Sequence, residues 1–284
     1  MRSRILFFDL IRIAAVWLIV ASHVGMIANH YIKIENLYYP SWGGVGVTFL
    51  LFVSGAVLEY NYKSITSFSE YGSFLLKRFE RIYPAYWISL AIALSMSSVG
   101  AVQLLEKGNV LLQISGFMAF TNQWGGEINA VGWFIGLIMS LYAMFPLLSA
   151  ICRKNSCLFF LGALAISTTF RYYFIINHIG LRPEDWFPLC RIFEFGLGIY
   201  VVQHRLYPKW TYSNRQFYVF AEMSFYIFLV HFPIVYLWKI NNLVFLVCTL
   251  FLSFGLFKVD SYIQKSIKNV TGESSVQSPA SKPT

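Results

Sequence analysis

Residues 5–28, ILFFDLIRIAAVWLIVASHVGMIA, form an apolar run long enough to cross a bilayer, which takes roughly 20 helical residues. Within that run stand Asp9, Arg12 and His23. An ionisable side chain inside a span costs a few kcal/mol or more unless it faces a bundle interior or a wet cavity. Arg12 and His23 are eleven positions apart. At about 100° per residue they return to within about 20° of one face, about 16 Å apart along the axis. Asp9 and Arg12 are i,i+3 neighbours and can pair as ions. A chain with this segment must bury one polar stripe of a membrane helix against other helices. Each residue alone has a plainer reading: Asp9 and Arg12 snorkel to headgroups, and His23 bonds to a neighbouring helix. The three together mark a site.

Composition supports a polytopic membrane protein. Of 284 residues, 57% are hydrophobic and 12% charged, against about 25% charged in a typical soluble domain. The formal charge of +9 therefore reads as an excess of Lys and Arg on inner loops, not as a nucleic-acid surface. Cys152, Cys157, Cys190 and Cys248 lie in or beside apolar segments without a CxxC pair, which argues against zinc and against a disulfide framework. Met1–Arg4 followed by an apolar run resembles a signal peptide, but its length and internal charges favour a retained first helix.

Further spans are expected at about 44–60, 84–99, 132–151, 157–177, 186–203, 217–238 and 243–262. Residues 61–83 read as a polar, basic connection, with Pro84 in the first turn of the third span. Residues 110–120 are apolar but too short to cross, and read as a re-entrant or interfacial helix. With the N-terminus inside, the basic loops at 61–83, 152–156 and 204–216 all fall on the inner side. The expected fold is an all-α polytopic membrane protein. It has about eight transmembrane helices plus one short re-entrant or interfacial helix, and both termini are cytoplasmic. Residues 1–264 form the membrane domain, and 265–284, rich in Ser and Pro toward the end, a disordered cytoplasmic tail. No internal repeat of the transporter kind is visible.

Several other groups can carry chemistry. Lys77, Arg78 and Arg81 precede Tyr83-Pro84, with Arg78 and Arg81 on one helical face. Paired guanidinium groups suit phosphates, although basic residues also flank spans simply as topology signals. Ser54-Gly55 closes the run FLLFVSG, and Gly132, Gly136 and Ser140 recur at spacing four; both patterns read first as helix packing. Arg191 and Glu194 form an i,i+3 pair in the sixth span. His231 is a second histidine in apolar sequence, read first as a structural hydrogen-bond former and second as lining a shared cavity.

The spacing Asp9-Leu-Ile-Arg12, ten residues, His23 resembles the first-helix signature of the integral-membrane acyltransferase 3 family. Arg78-Phe-Glu-Arg81 before an aromatic and Pro84 resembles its cytoplasmic arginine motif. The span opening on Trp133 and closing on Tyr142 and Pro146 is similar to a family span, but lacks the mid-span glutamate many members carry. Ser224-Phe-Tyr226 through His231 resembles the late-helix run, and only about fifteen polar residues stand where the family usually has two further helices.

The resemblance implies transfer of an acyl group, in the first instance acetyl, from cytoplasmic acyl-CoA to a hydroxyl of an envelope or lipid-linked sugar or polysaccharide. It implies a bacterial inner (plasma) membrane and acyl-CoA as co-substrate, with no bound cofactor and no metal. The partners are then acyl-CoA, the glycan acceptor and membrane lipid. His23 would be the base, with Arg12, oriented by Asp9, stabilising the oxyanion or holding CoA. Arg78, Arg81 and Lys77 would bind acyl-CoA, and Ser54, Trp133, Tyr142, Tyr226 and His231 are candidate cavity-lining residues. A transporter or flippase for a sugar or small anion is the alternative that buried ions also permit.

Overall fold

In a computed structural model, the residues described are 4–27, 42–62, 64–96, 110–121, 128–177, 183–238 and 242–270. The chain forms helices α1 (Leu6–Ile27), α2 (Trp42–Asn61), α3 (Phe68–Met96), α4 (Val110–Ser115) and α5 (Gly132–Lys154). They are followed by α6 (Ser156–Ile176), α7 (Pro183–Trp186), α8 (Ile192–Gln203), α9 (Arg215–Trp238) and α10 (Asn242–Val270). The fold is an all-α polytopic membrane protein. Among the described residues, six helices are long and apolar enough to cross a membrane: α1, α2, α5, α6, α9 and α10.

The other two expected spans, at 84–99 and 186–203, differ in form. The third begins earlier than expected. A capping box starts α3: the Ser67 hydroxyl accepts from the Glu70 amide at 3.1 Å, and the Glu70 carboxylate accepts from the Thr66 and Ser67 amides at 2.8 and 3.2 Å. Those amide bonds hold the Glu70 carboxyl below its usual range. The basic segment is thus helical and continuous with the apolar one, and Pro84 lies in a helix interior, not in a first turn. Proline there leaves the carbonyl four residues back without its amide. Gln264 Nε2 donates to that orphan, the Glu80 carbonyl, at 2.6 Å. The same repair occurs at Pro233 in α9, where Asn129 Nδ2 donates to the Leu229 carbonyl at 3.0 Å.

The sixth span is replaced by a broken segment: α7, a 3₁₀ turn at Pro188–Arg191, and α8 of only 12 residues. A helix of that length rises about 18 Å, too little to cross by itself. Its polar backbone ends are tolerable because protein surrounds them: Phe195 and Ile199 are fully buried, and Gly198 lies against the backbone of Phe52 and Ala56 in α2. Arg191 and Glu194 pair at 3.1 Å, and Arg171 of α6 joins Glu194.

Residues 110–121 form a six-residue helix and a 3₁₀ turn, too short to cross by themselves. Helix α4 ends at Gly116, whose φ of +78° turns the chain into the 3₁₀ turn Met118–Thr121. The hydroxyls of Tyr83 and Tyr86 and the indole of Trp87 donate to the carbonyls of Ser115, Gln113 and Ile114. Gly136 gives the turn room, since a Cβ there would stand 2.6 Å from the Gly116 carbonyl oxygen.

At the other end of the bundle, residues Arg4–Ile5 pair antiparallel with Thr211–Tyr212, and the Leu6 amide donates to the Trp210 carbonyl at 2.7 Å. This small ladder was not expected in an all-α chain. It ties the segment before α1 to the loop before α9. The last helix also runs past the expected domain boundary at 264: residues 265–270 continue α10, anchored where Gln264 holds α3, with Lys268 favourable in the last turn. The remainder of the expected tail, 271–284, lies outside the described residues.

Candidate active site

Helix α1 threads the middle of the bundle between α2 and α9, with α3 against α9 and α10. A cavity of about 230 Å³ opens among α1, α2, α3, α5 and α9. Reading each helix along its length gives the cavity a direction. The charged residues Arg4, Arg12, Arg78, Arg81 and Glu222 occupy one end. Toward the other end the lining becomes Ser54, Tyr142 and Ile138, then Val16, Leu50, Phe134 and Phe228.

The charged end is densely bonded. Asp9 is buried and accepts from Arg12 Nη1 at 2.6 Å and from the Tyr212 hydroxyl at 2.8 Å, with Arg4 Nη1 at 3.7 Å. Burial and the bond to Asp9 push the Tyr212 phenol up to about 12, so it stays a donor. The i,i+3 pair expected from sequence is present, with Asp9 fixing the Arg12 guanidinium at the cavity wall. Glu222 bridges two arginines: Oε1 accepts from Arg4 Nη2 at 2.6 Å, and Oε2 from Arg81 Nη2. Arg81 Nη1 also donates to the Tyr226 hydroxyl at 3.2 Å and lies 3.6 Å from Asp260, to which Tyr226 donates at 2.6 Å.

Arg78 is held differently. It donates to the Tyr62 hydroxyl at 2.8 Å, lies over the rings of Tyr62 and Phe74, and has no carboxylate partner among the described residues. Its buried Nε has no hydrogen-bond acceptor. Lys77 is exposed and outside the cavity lining. Ser54 and Tyr142 line the cavity as expected; Tyr226 lies behind Arg81 and supports it. Trp133 packs edge-on to Phe134 and does not line the cavity.

The histidines lie beyond the apolar end, and neither His23 nor, contrary to expectation, His231 lines the cavity itself. Phe134 and Phe228 meet with ring centroids 5.0 Å apart, and Phe228 contacts His231 at 5.9 Å. His231 Nε2 lies 3.3 Å from His23 Nδ1. Chemistry assigns the tautomers. His231 Nδ1 is 2.7 Å from the Phe228 carbonyl, which only accepts, so that nitrogen carries the proton and Nε2 is bare. His23 Nδ1 is 2.9 Å from the Ile19 carbonyl and faces the bare nitrogen of His231, so it too is a donor. Neutral His23 is left with a free lone pair on Nε2. His231 is fully buried, whereas His23 is only partly so.

His231 therefore adjoins His23 instead of serving packing alone. Arg12 and His23, three turns apart on α1, sit at opposite ends of this path. The sequence reading missed Arg4, Tyr62, Tyr212, Glu222 and Asp260. Glu222 and Asp260 carried a visible signal, acids within apolar helices. Arg4 and Tyr212 carried none, because their placement depends on the two-residue ladder.

A family model described as an acyltransferase domain (acyltransferase 3) matches residues 5–221. The chain belongs to this acyltransferase family. The match includes Asp9, Arg12, His23, Arg78 and Arg81, and ends one residue before Glu222. No curated protein and no solved structure matches the chain. The transporter alternative is not favoured.

Proposed function

We propose that this acyltransferase moves an acetyl group from acyl-CoA to a hydroxyl of an envelope or lipid-linked sugar in a bacterial inner membrane. The observation that carries this reading is the separation of the arginine cluster from the histidine pair along one helix, by about 16 Å of axial rise. A CoA thioester has the same polarity: phosphates at one end, a pantetheine arm, and the reactive carbonyl at the other. The positive-inside bias supports an arginine end that faces the cytoplasm, where acyl-CoA is made.

In this scheme Arg78 and Arg12 grip the phosphates and the pantetheine arm passes Ser54, Tyr142 and Ile138. Arg12 belongs to the phosphate end; three turns from His23, it is too far from the base to hold the oxyanion of the same transition state. His23 Nε2 takes the proton from the acceptor hydroxyl as its oxygen attacks the thioester carbonyl. The C–O bond forms, the C–S bond breaks, and the CoA thiolate leaves with the proton returned by His23. His231 Nε2 and the Ile19 carbonyl hold the Nδ1 proton, fixing the ring and favouring the imidazolium.

Purified protein incubated with radiolabelled acetyl-CoA and total envelope glycans tests the proposal. Release of CoA with label on glycan is the expected result. Unlabelled glycan under conditions where acetyl-CoA binds would overturn it.

A further inference from the structure

Four guanidinium groups, from Arg4, Arg12, Arg78 and Arg81, line one end of a cavity of about 230 Å³. Like charges this close repel strongly where the surroundings are partly dehydrated. Carboxylates offset them. Asp9 belongs to Arg12, and Asp260, fully buried, is shared through Tyr226 with Arg81. Glu222 is different in kind. Of the three acids it alone lines the cavity, and each of its oxygens engages an arginine from a different segment, Arg4 before α1 and Arg81 in α3.

A carboxylate bridging two guanidinium forks presents them with the same planar pair of acceptor oxygens that a phosphate would. We propose that Glu222 is a built-in anion mimic that occupies Arg4 and Arg81 in the empty site, and that a CoA phosphate displaces it. The inference rests on the acyl-CoA reading of this cavity. It makes Glu222 a specificity-determining residue: an anion of low charge gains little by replacing it, whereas CoA, with a diphosphate and a 3′-phosphate, can supply two contacts at once. Arg4 and Arg81 then join Arg78 and Arg12 around the phosphates. Glu222 is not sealed into the wall, since its side chain is 12% exposed. Asp260, Tyr226 and the Tyr218 ring stay behind Arg81 and Arg4 to hold them.

The test is equilibrium binding of acetyl-CoA and of adenosine 3′,5′-bisphosphate to the full-length protein in nanodiscs at low ionic strength. Glu222→Gln keeps the shape but not the charge, and both ligands should bind about three- to tenfold more tightly than to the natural protein. Glu222→Asp keeps the charge but cannot span both arginines, so it should give an intermediate gain; it carries the test if the glutamine variant fails to insert. Unchanged or weaker binding to the variants, with the natural protein still binding, overturns this inference alone. A natural protein with no affinity for acetyl-CoA overturns the functional reading beneath it.

Discussion

Two neutral imidazoles in contact share their protons in an order set by their other partners. Here carbonyl oxygens at both Nδ1 positions leave the lone pair of His23 on Nε2, in a residue that is only partly buried. His23→Gln cannot take a proton, so transfer should fall by about 10²–10⁴-fold while acetyl-CoA still binds. His231→Gln should also lose activity, because the fixed tautomer of His23 is lost, and its pH–rate profile should shift where a purely structural defect would only scale it. A dispensable His23 beside an essential His231 would refute the assignment. The arginines separate just as sharply. Among the described residues Arg78 has only a phenol hydroxyl and ring faces as partners, so Arg78→Ala should raise the Michaelis constant for acyl-CoA about tenfold, the worth of one charge-assisted bond. Thermal stability should hardly change. Arg81→Ala leaves the buried Asp260 without its cation and Glu222 with Arg4 alone, and breaking such a pair costs about 3–5 kcal/mol when fully buried, less here with Arg81 37% exposed. A lower unfolding temperature in detergent should therefore accompany its weaker binding. Asp9, Arg12 and His23 were legible in the sequence because charge in a span is conspicuous. The pairing of Arg81 with Glu222 and Asp260 was not, since contacts across separate helices leave no periodic trace.

At the scale of elements, spans of uniform apolar composition were legible and compensated irregularities were not. Pro84 looked like a helix start because its orphan carbonyl has no partner nearby in sequence; that partner, Gln264, lies 184 positions downstream of Glu80. Helix α8 looked long enough to cross because Arg191 and Glu194 sit within an apolar run, yet Pro188 and the buried ion cluster break that run into turns. The Ser54-Gly55 pair was legible as packing, and the geometry gives the reason. A Cβ on Gly55 would stand 2.0 Å from the Phe195 carbonyl oxygen, and one on Gly198 the same distance from the Phe52 carbonyl. Backbone cannot yield as a side-chain tip can, so α2 and α8 must separate. Gly55→Ala should cost about 1–3 kcal/mol, as overpacking does. Thermal unfolding in detergent measures this, and Gly162→Ala, where nothing lies within 4 Å, is the control that should leave stability unchanged.

For the molecule as a whole, orientation decides whether the arginine end meets acyl-CoA. Arg4, Lys63, Lys77, Arg78, Arg81, Arg153, Lys154, Arg205, Lys209 and Arg215 fall on one side of the proposed topology, whereas Lys33, Lys107, Arg182 and Lys239 fall on the other. That asymmetry requires the 110–121 segment to return to the side it entered. The bonds from Tyr83, Tyr86 and Trp87 to its carbonyls, and the turn at Gly116, fit such a return. They also give the carbonyls at the end of α4 partners within the protein. Cysteine accessibility in intact cells tests the arrangement, starting from a background lacking the four native cysteines. Cysteine at Ser64 or Lys154, both exposed, should be shielded from an impermeant reagent, and cysteine at Glu184 should react. Reaction at Lys154 together with shielding at Ser64 would mean that the chain crosses between α3 and α5 an extra time. The basic loop after α5 would then lie outside, and Glu222 near the start of α9 could not meet Arg4 and Arg81 at one end of the bundle. Reaction at Ser64 itself would instead separate Arg78 and Arg81 from the CoA pool, and the proposed chemistry would fail with it.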